Sequence, residues 1–410
     1  MVFETAPPTT GNSHRVEATL PGPLSGLCVL DLTHIASGPF ATMLLADMGA
    51  DVIKLERPRT GDGSRQMDVS IHDGDSGYYL GLNKNKRSIE VDLSTADGVD
   101  LVHSLARKAD VVVENFRPGA ADRMGVGYAD LATVQPSIIY CSITGFGPHG
   151  QLRDAVAYDI VGQALSGVMA ITGEPDRPPA KCGAPIGDLS SGMFATMGIL
   201  AALHHRHQTG RGQHVGTSVL GASVSLVAPY LTSHALGTAF HRVGSAHNTL
   251  APYQAFTGSD HKGFILAAGN DGFFVKVADV VGLPGLADDE RFASNTARSH
   301  NRVALADILQ ARFSANTSAH WLARFAERGV PASPINEVED LAEDQQLRAN
   351  GYVVDVEHPT IGTLPVVTAP LTFSATPVSV RRPPPRLDEH RADILAIARG
   401  EAPWLPATAR

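Results

Sequence analysis

From Gly26 onward, short apolar runs alternate with stretches of helical period. GLCVLDL (26–32) reads as a buried strand, followed by the loop THIASGPF and a helix over ATMLLADMG (41–49). ADVIKLE (50–56), SIEVDL (88–93), ADVVVEN (109–115) and SIIYCSITGFG (137–147) repeat the strand pattern, with a polar insert over about 57–77 and a helix around 98–108. Apolar strands of this length, separated by helices, predict a parallel sheet covered on both faces. Right-handed crossovers make it a doubly wound, Rossmann-like α/β fold. From Tyr158 the pattern turns helical, most clearly in DLSSGMFATMGILAALHHRHQTG, with Asp188 or Ser190 as a candidate N-cap and Gly210 as the stop. KGFILAAGN (262–270) reads as a strand, helices follow through 312–329, and the chain turns back near Pro331–Pro334. GYVVDVEHP and LPVVTAPLTF read as extended, and VRRPPPRLDEH as a stiff non-helical run. The expected division is a flexible arm over 1–20, a large domain over 21–225, a smaller inserted α+β domain over 226–340, and a return to the large domain over 341–410.

Composition narrows the functional classes. Of 410 residues, 43% are hydrophobic and 18% charged, an ordinary globular balance. The net charge of −9 argues against coating nucleic acid, so an anionic substrate must be drawn in by local cations. Cys28, Cys141 and Cys182 stand far apart, which fits a reducing compartment and gives no disulfide framework or zinc ribbon. No uninterrupted apolar run approaches ~20 residues, and the polar start of the chain lacks the apolar stretch of a signal peptide. The expected location is the cytoplasm, without a membrane.

Most stock catalytic motifs are missing: no Walker loop, Gly-x-Ser-x-Gly elbow or His-Glu-x-x-His, and no Gly-x-Gly-x-x-Gly after the first strand. His204, His205 and His207 end a helix, where cations stabilise the C-terminus, so capping is favoured over metal binding. The loops beyond two strands are more informative. One carries Arg57, Arg59 and Arg65, the other Asn115, Phe116, Arg117 and Arg123. At the carboxyl ends of parallel strands such loops bind ligands: a base can stack on the ring, and phosphates can pair with guanidinium forks. Each arginine alone reads as a surface ion pair; the two loops together point to a nucleotide-bearing ligand. The stretch 158–188 offers Asp159, Asp176 and Asp188 among Gly/Pro turns. A carboxylate on a rigid loop can be a nucleophile towards a thioester when water is excluded, whereas spacing alone favours simple turn chemistry.

The chain resembles the class III CoA-transferase family, which includes formyl-CoA transferase and carnitine CoA-transferase. The likeness runs from about Leu24 to Pro384. It is carried by GLCVLDLTHIASGPFATMLLADMGADVIKLERP, NKNKRSIEVDLS, ADVVVENFRPGAADRMG, IIYCSITGFG, ALSGVMAITG, DLSSGMFATMGILAALHHRHQTGRGQ and PYQAF. YCSITGFG, GSAHNTLAPYQAF, AAGND, ASPINEVED and HPTIGTLPV look most like the succinate–hydroxymethylglutarate CoA-transferase branch.

The resemblance implies a Rossmann-like large domain, a small domain and a homodimer of interlocked rings. It places the family's nucleophilic aspartate at Asp176, within TGEPDRPP. It implies CoA contacts at Ala36, Ser37, Arg57, Val91, Asp92, Leu93, Ser94, Asn115, Phe116, Arg117 and Arg123. The acyl side falls on His34 and on a loop of Gly244, Ser245, Ala246, His247 and Asn248, with less glycine than in formyl-CoA transferase. The implied reaction transfers CoA from a donor acyl-CoA, succinyl-CoA by branch, to a small dicarboxylate, with CoA thioesters as substrates, no tightly bound cofactor and no metal. Lys181 and Arg242 are candidate cations near the acyl pocket. The same superfamily contains α-methylacyl-CoA racemases, which carry a His–Asp pair where this chain has Tyr158–Asp159. A phenol of ordinary pKa about 10 is a poor base near neutrality, which leaves racemase as the second reading. A non-catalytic CoA-binding protein is the third.

Overall fold

The computed structural model describes residues 21–405, so the arm expected over 1–20 lies outside the described residues. β1 (Cys28–Asp31) and β2 (Asp51–Glu56) are followed by a small hairpin of β3 (Ile71–His72) and β4 (Asp75–Ser76). Then come β5 (Lys86–Glu90), β6 (Val111–Glu114), β7 (Ile139–Thr144) and β8 (Gln213–Ser218). Six of these form one sheet in the order β5-β2-β1-β6-β7-β8, every pairing parallel. Its alternating side chains are buried on both faces, as parallel sheets require. Val29, Val52, Val111 and Ile139 pack beneath Leu45 of the helix Ser37–Asp47 and Ala195 and Ile199 of the long helix Ile186–Thr209. Leu30, Ile53, Val112 and Tyr140 pack on the other side, against Val102 and Leu105 of the helix Ala96–Ala106 and Ile394 and Ile397 of the helix Arg391–Arg399.

Several boundaries differ from the sequence reading, each for a local reason. The first helix begins at Ser37 and absorbs Gly38 and Pro39, because proline fits a helix's first turn. Gly38 also lies hard against Thr33: a Cβ there would stand 2.2 Å from Thr33 Cγ2. β5 starts at Lys86, two residues before the strand read over 88–93, because the Lys86 ammonium is drawn into the fold by buried partners. β8 was not anticipated, since QHVGTS is half polar and sits at the sheet's edge. The long helix starts at Ile186 rather than being capped by Asp188 or Ser190. Instead the Asp159 carboxylate accepts the Gly187 and Asp188 N–H groups at 2.8 and 3.2 Å. That 24-residue helix is long and apolar enough to cross a membrane, yet Ala195, Ile199 and Ala202 pack onto the sheet. It ends at Gly210, whose φ of 73° and N–H bond to Arg206 O form the expected stop.

A second, antiparallel sheet follows the order β11-β10-β9, from β9 (Tyr253–Thr257), β10 (Gly263–Ala267) and β11 (Ala332–Pro334). Pro334 is tolerated because β11 is an edge strand. Phe313 sits at the centre of this sheet's own core, its ring edge-on to Phe256, Phe264 and Trp321 at 4.9, 5.1 and 5.4 Å. β12 (Val353–His358) and β13 (Gly362–Val367) lie within the stretches read as extended and pair as an antiparallel hairpin. The chain then returns to the first sheet: Asp47 accepts the Ala369 N–H, and the Arg381 guanidinium donates to Ala46 O and Ala50 O.

Charged groups are buried where Asp31 ends β1, Lys54 lies in β2 and Lys86 opens β5. Lys54 Nζ pairs with Asp62 at 2.8 Å and donates to Thr33 O at 2.8 Å; Lys86 Nζ pairs with Asp31 at 3.0 Å. All four side chains are fully buried. Burial opposes ionisation at each, but Lys54 and Lys86 outweigh it at Asp31 and hold that carboxylate well below its usual range. Burial outweighs Asp31 at Lys86, whose ammonium falls to about 8. Removing one partner strands the others without compensation. Lys54→Met is expected to lower the unfolding free energy by about 3–5 kcal/mol in denaturant titration. A loss below about 1 kcal/mol would show that the cluster does not hold the fold in this way.

Candidate active site

The connection after β1 covers one face of the sheet and those after β6 the other, so the strand order reverses between these two neighbours. Open α/β sheets form a ligand crevice at such a point. Its floor is the loop after β1, and buried groups fix that loop in place. Asp31 accepts bonds from Thr33 N, Thr33 Oγ1 and Thr42 Oγ1, while Asp62 Oδ1 accepts the Ile35 N–H at 2.9 Å. Ile35 is held there at φ 69°, a region that a β-branched side chain enters only against strain. Asn115, just beyond β6, joins the two loops: its amide donates to His34 O and Ser37 Oγ, and its carbonyl accepts the His34 N–H.

A cavity of about 450 Å³ opens above this floor, walled by His34, Arg57, Val91, Asp92, Leu93, Ser94, Phe116, Arg117 and Arg123 among others. Every one of these was singled out in the sequence. A second cavity of about 360 Å³ shares His34, Arg57, Phe116 and Arg117 with the first and runs on past Ala36, Ser37 and Asn115 to Tyr158 and Asp188. The loop arginines divide sharply. Among the described residues, Arg57, Arg117 and Arg123 have no acidic partner within ion-pair distance, and they face the cavity. Arg65, read from sequence as part of the same cationic edge, is instead buried against Glu56, Asp75 and the ring of Tyr79, where it braces the fold. His34 packs beside Phe116 at 5.9 Å. Burial, with help from Lys54 and Arg57, pushes its imidazole down to about 4, so it is neutral near pH 7. The cavity thus presents an aromatic face and three uncompensated guanidinium groups, a chemistry suited to a base and phosphates.

Asp176 does not line either cavity. It stands exposed on the loop that follows Gly173. The structure does bring that loop against the 242–248 segment. Gly244 N–H donates to Gly173 O at 3.0 Å, and a Cβ on Gly244, which has φ 62°, would meet the Glu174 carboxylate at 2.6 Å. Arg242, a candidate acyl-pocket cation, spends its guanidinium on Glu174 O and Arg177 O and so braces the Asp176 loop. Lys181, the other candidate, donates to the neighbouring carbonyls of Cys182 and Gly183. Beyond the loop, Ser245 Oγ accepts the Ala255 N–H, His247 N–H donates to Tyr253 O, and Arg302 donates to His247 O and Asn248 O.

Residues 24–391 match the sequence profile of CoA-transferase family III. The chain belongs to that family. It is 40% identical to succinyl-CoA:glutarate CoA-transferase of Mus musculus, over 91% of this chain and 86% of that one. It is also 40% identical to succinate–glutarate CoA-transferase of Agrobacterium fabrum, over 91% and 95% of the two chains. Among solved structures, a CAIB/BAIF family protein from Brucella suis superposes with a TM-score of 0.84 at 39% identity, covering 92% of this chain and all of that one. The cavity at the reversal point therefore belongs to a CoA-transferase, an enzyme whose substrates are acyl-CoA thioesters and carboxylic acids.

Sequence reasoning missed the transferase's supports. Lys54 and Asp62 hold the floor without lining either cavity, Ile35 lines the second, and only a lone lysine inside the apolar run DVIKLE hinted at them. If the unpaired arginines meet CoA phosphates, Arg57→Ala and Arg123→Ala are each expected to weaken CoA binding by about 1.5–3 kcal/mol in calorimetric titration. Arg59→Ala, outside the cavity, is the control expected to leave affinity unchanged. Equal affinity in all three variants would remove the phosphate assignment.

Proposed function

We propose that the enzyme moves CoA from succinyl-CoA to a small dicarboxylic acid such as glutarate, with Asp176 as the covalent carrier. The observation that carries the reading is the cavity at the β1/β6 reversal, where Arg57, Arg117 and Arg123 stand unpaired around Phe116 in a chain of this family. The relatives named for succinyl-CoA and glutarate supply the substrate class.

In the first half-reaction the Asp176 carboxylate attacks the donor's thioester carbonyl and expels CoA thiolate, giving an acyl–aspartyl anhydride. The thiolate attacks the aspartyl carbonyl, the donor acid leaves as its carboxylate, and an aspartyl-CoA thioester remains. The acceptor carboxylate then displaces the thiolate to form a second mixed anhydride. Attack of the thiolate on the acceptor's own carbonyl makes the new acyl-CoA and frees Asp176. Each step exchanges one activated acyl bond for another, so no ATP enters. An anhydride survives only if water is kept away. In the 244–248 segment, bonded to the nucleophile's loop, the Gly244, Ala246 and His247 N–H groups are spent on Gly173, Val243 and Tyr253, which leaves Ser245 and Asn248 to offer backbone N–H groups to the developing oxyanion.

Water exclusion is the reason to propose an interlocked homodimer. Asp176 is exposed in the single chain, and Leu165, Met193, Met197 and Leu226 remain 53, 49, 53 and 46% exposed, apolar surface that a second copy would cover. The same reading treats the segment around β9–β11, with its own aromatic core, as a small domain inserted over about 226–340.

The racemase reading gains nothing from the geometry. Tyr158 is 70% exposed, and Asp159 is committed to the N-terminus of the long helix and to Gln163. Incubation with succinyl-CoA and a panel of acids, followed by mass spectrometry of the thioesters, is expected to show transfer without α-deuterium uptake from D₂O. Asp176→Ala should lower transfer by at least about a thousandfold while CoA affinity holds, the loss typical of removing a covalent nucleophile. Near-normal turnover in that variant would remove Asp176 from the mechanism.

A further inference from the structure

The segment that carries the oxyanion donors is held from behind by one short stretch of chain. The Arg302 guanidinium donates to His247 O at 3.1 Å and to Asn248 O at 2.6 Å. Asn295 donates to Thr249 O at 2.9 Å and accepts the Ala251 N–H at 3.3 Å, and Arg298 Nε donates to Ala251 O at 2.7 Å. The three side chains come from the helix Asn295–His300 and the first residue of the helix Arg302–Phe313, which is rooted in the aromatic core through Leu305, Leu309 and Phe313. Arg298 is fully buried and also bonds Phe292 O, Gly269 O and Asp271, so it belongs to the fold of this unit. Arg302 is different. Half-buried, it spends its guanidinium on backbone carbonyls alone, the third being Ser299 O, and among the described residues no carboxylate lies within ion-pair distance of it.

We propose that Arg302 is a positioning residue for CoA transfer, which sets the direction of the Asn248 N–H and holds the 247–249 backbone as a cover over the reacting acyl group. The inference rests on the reading of the 244–248 segment as oxyanion donor and water shield. In a trans peptide unit the C=O and the N–H point to opposite sides. His247 O and the Asn248 N–H belong to one such unit, so the guanidinium on the carbonyl turns the N–H away from the support. That N–H has no partner among the described residues, whereas the next one, of Thr249, is spent on His247 Nδ1 at 3.1 Å. Two donors of one rigid fork on two successive carbonyls fix the turn between them, which the single ammonium of a lysine does not. Without the fork the donor is misplaced and water reaches the acyl–enzyme anhydride. Water then attacks the anhydride carbonyl in place of the thiolate: a C–O bond to water forms, the bond to the other carboxylate breaks, and one proton goes to the thiolate. Each succinyl-CoA so consumed gives succinate, free CoA thiol and one further proton.

The test measures, with succinyl-CoA and glutarate, both glutaryl-CoA formed and free CoA thiol released, so that each turnover is scored as transfer or hydrolysis. Arg302→Lys, which keeps the charge and loses the fork, is expected to lower kcat for transfer about tenfold while KM for succinyl-CoA stays within about twofold. The fraction of turnovers ending in free thiol should rise about threefold or more. Asn295→Ala, which frees Thr249 O, should move the same fraction in the same direction and serves as the second variant should Arg302→Lys not fold. Arg328→Met, which breaks a surface ion pair with Asp279 in the same unit, is the control expected to leave the fraction unchanged. A role confined to stability would lower Tm and the amount of active enzyme with the hydrolysed fraction at its wild-type value. That outcome, in whichever of the two variants folds, overturns the inference while wild-type transfer persists. Absence of any transfer in the wild type would instead sink the reading on which the inference rests.

Discussion

Four buried charges beneath the loop after β1 set the shape of the site above them. Asp31 and Asp62 fix Thr33 and Ile35, and Lys54 and Lys86 neutralise those carboxylates from neighbouring strands. An isolated buried charge is costly, so each member makes the others necessary. The result is a rigid stretch of backbone, strained at Ile35, at the place where the sheet reverses direction. Asn115 then ties the loop to the next strand's end, and both cavities open on this joint. A preorganised floor of this kind holds a substrate without reshaping itself at each turnover.

The arginines show how partners, rather than residue type, separate structure from binding. Arg65 has Glu56, Asp75 and Tyr79 around it and is part of the fold. Among the described residues, Arg57, Arg117 and Arg123 have no carboxylate within ion-pair distance, which leaves their charge available to an anion in a protein of net charge −9. The same distinction divides the acids: Asp159 is consumed by the Gly187 and Asp188 N–H groups, while among the described residues no donor meets the Asp188 side chain.

The loop carrying Asp176 follows a different logic from the cavity. It is braced by Arg242 and bonded through Gly173 to Gly244, so its position is defined, yet it faces solvent. Phe116 and the uncompensated arginines lie at the sheet's carboxyl ends, around one cavity of a single chain. Covalent chemistry on a carboxylate as exposed as that of Asp176 would need cover that the described residues do not supply.

Much of this was legible in the sequence. Period alone gave β1, β2, β6 and β7, because strands buried on both faces must be continuously apolar. The loops with Arg57 and with Phe116, Arg117 and Arg123 were found for a related reason: in a parallel sheet, residues just past a strand's end share one edge. What the sequence could not separate was Arg65 from Arg57, or Asp159 from Asp188, since neighbours along the chain look alike until distant groups claim them. Glu56, Asp75 and the free end of the helix at Ile186 made those choices. Local pattern fixes which segments become strands and which loops meet; only folding decides which charges are already paired, because pairing depends on residues that the chain brings together from far apart.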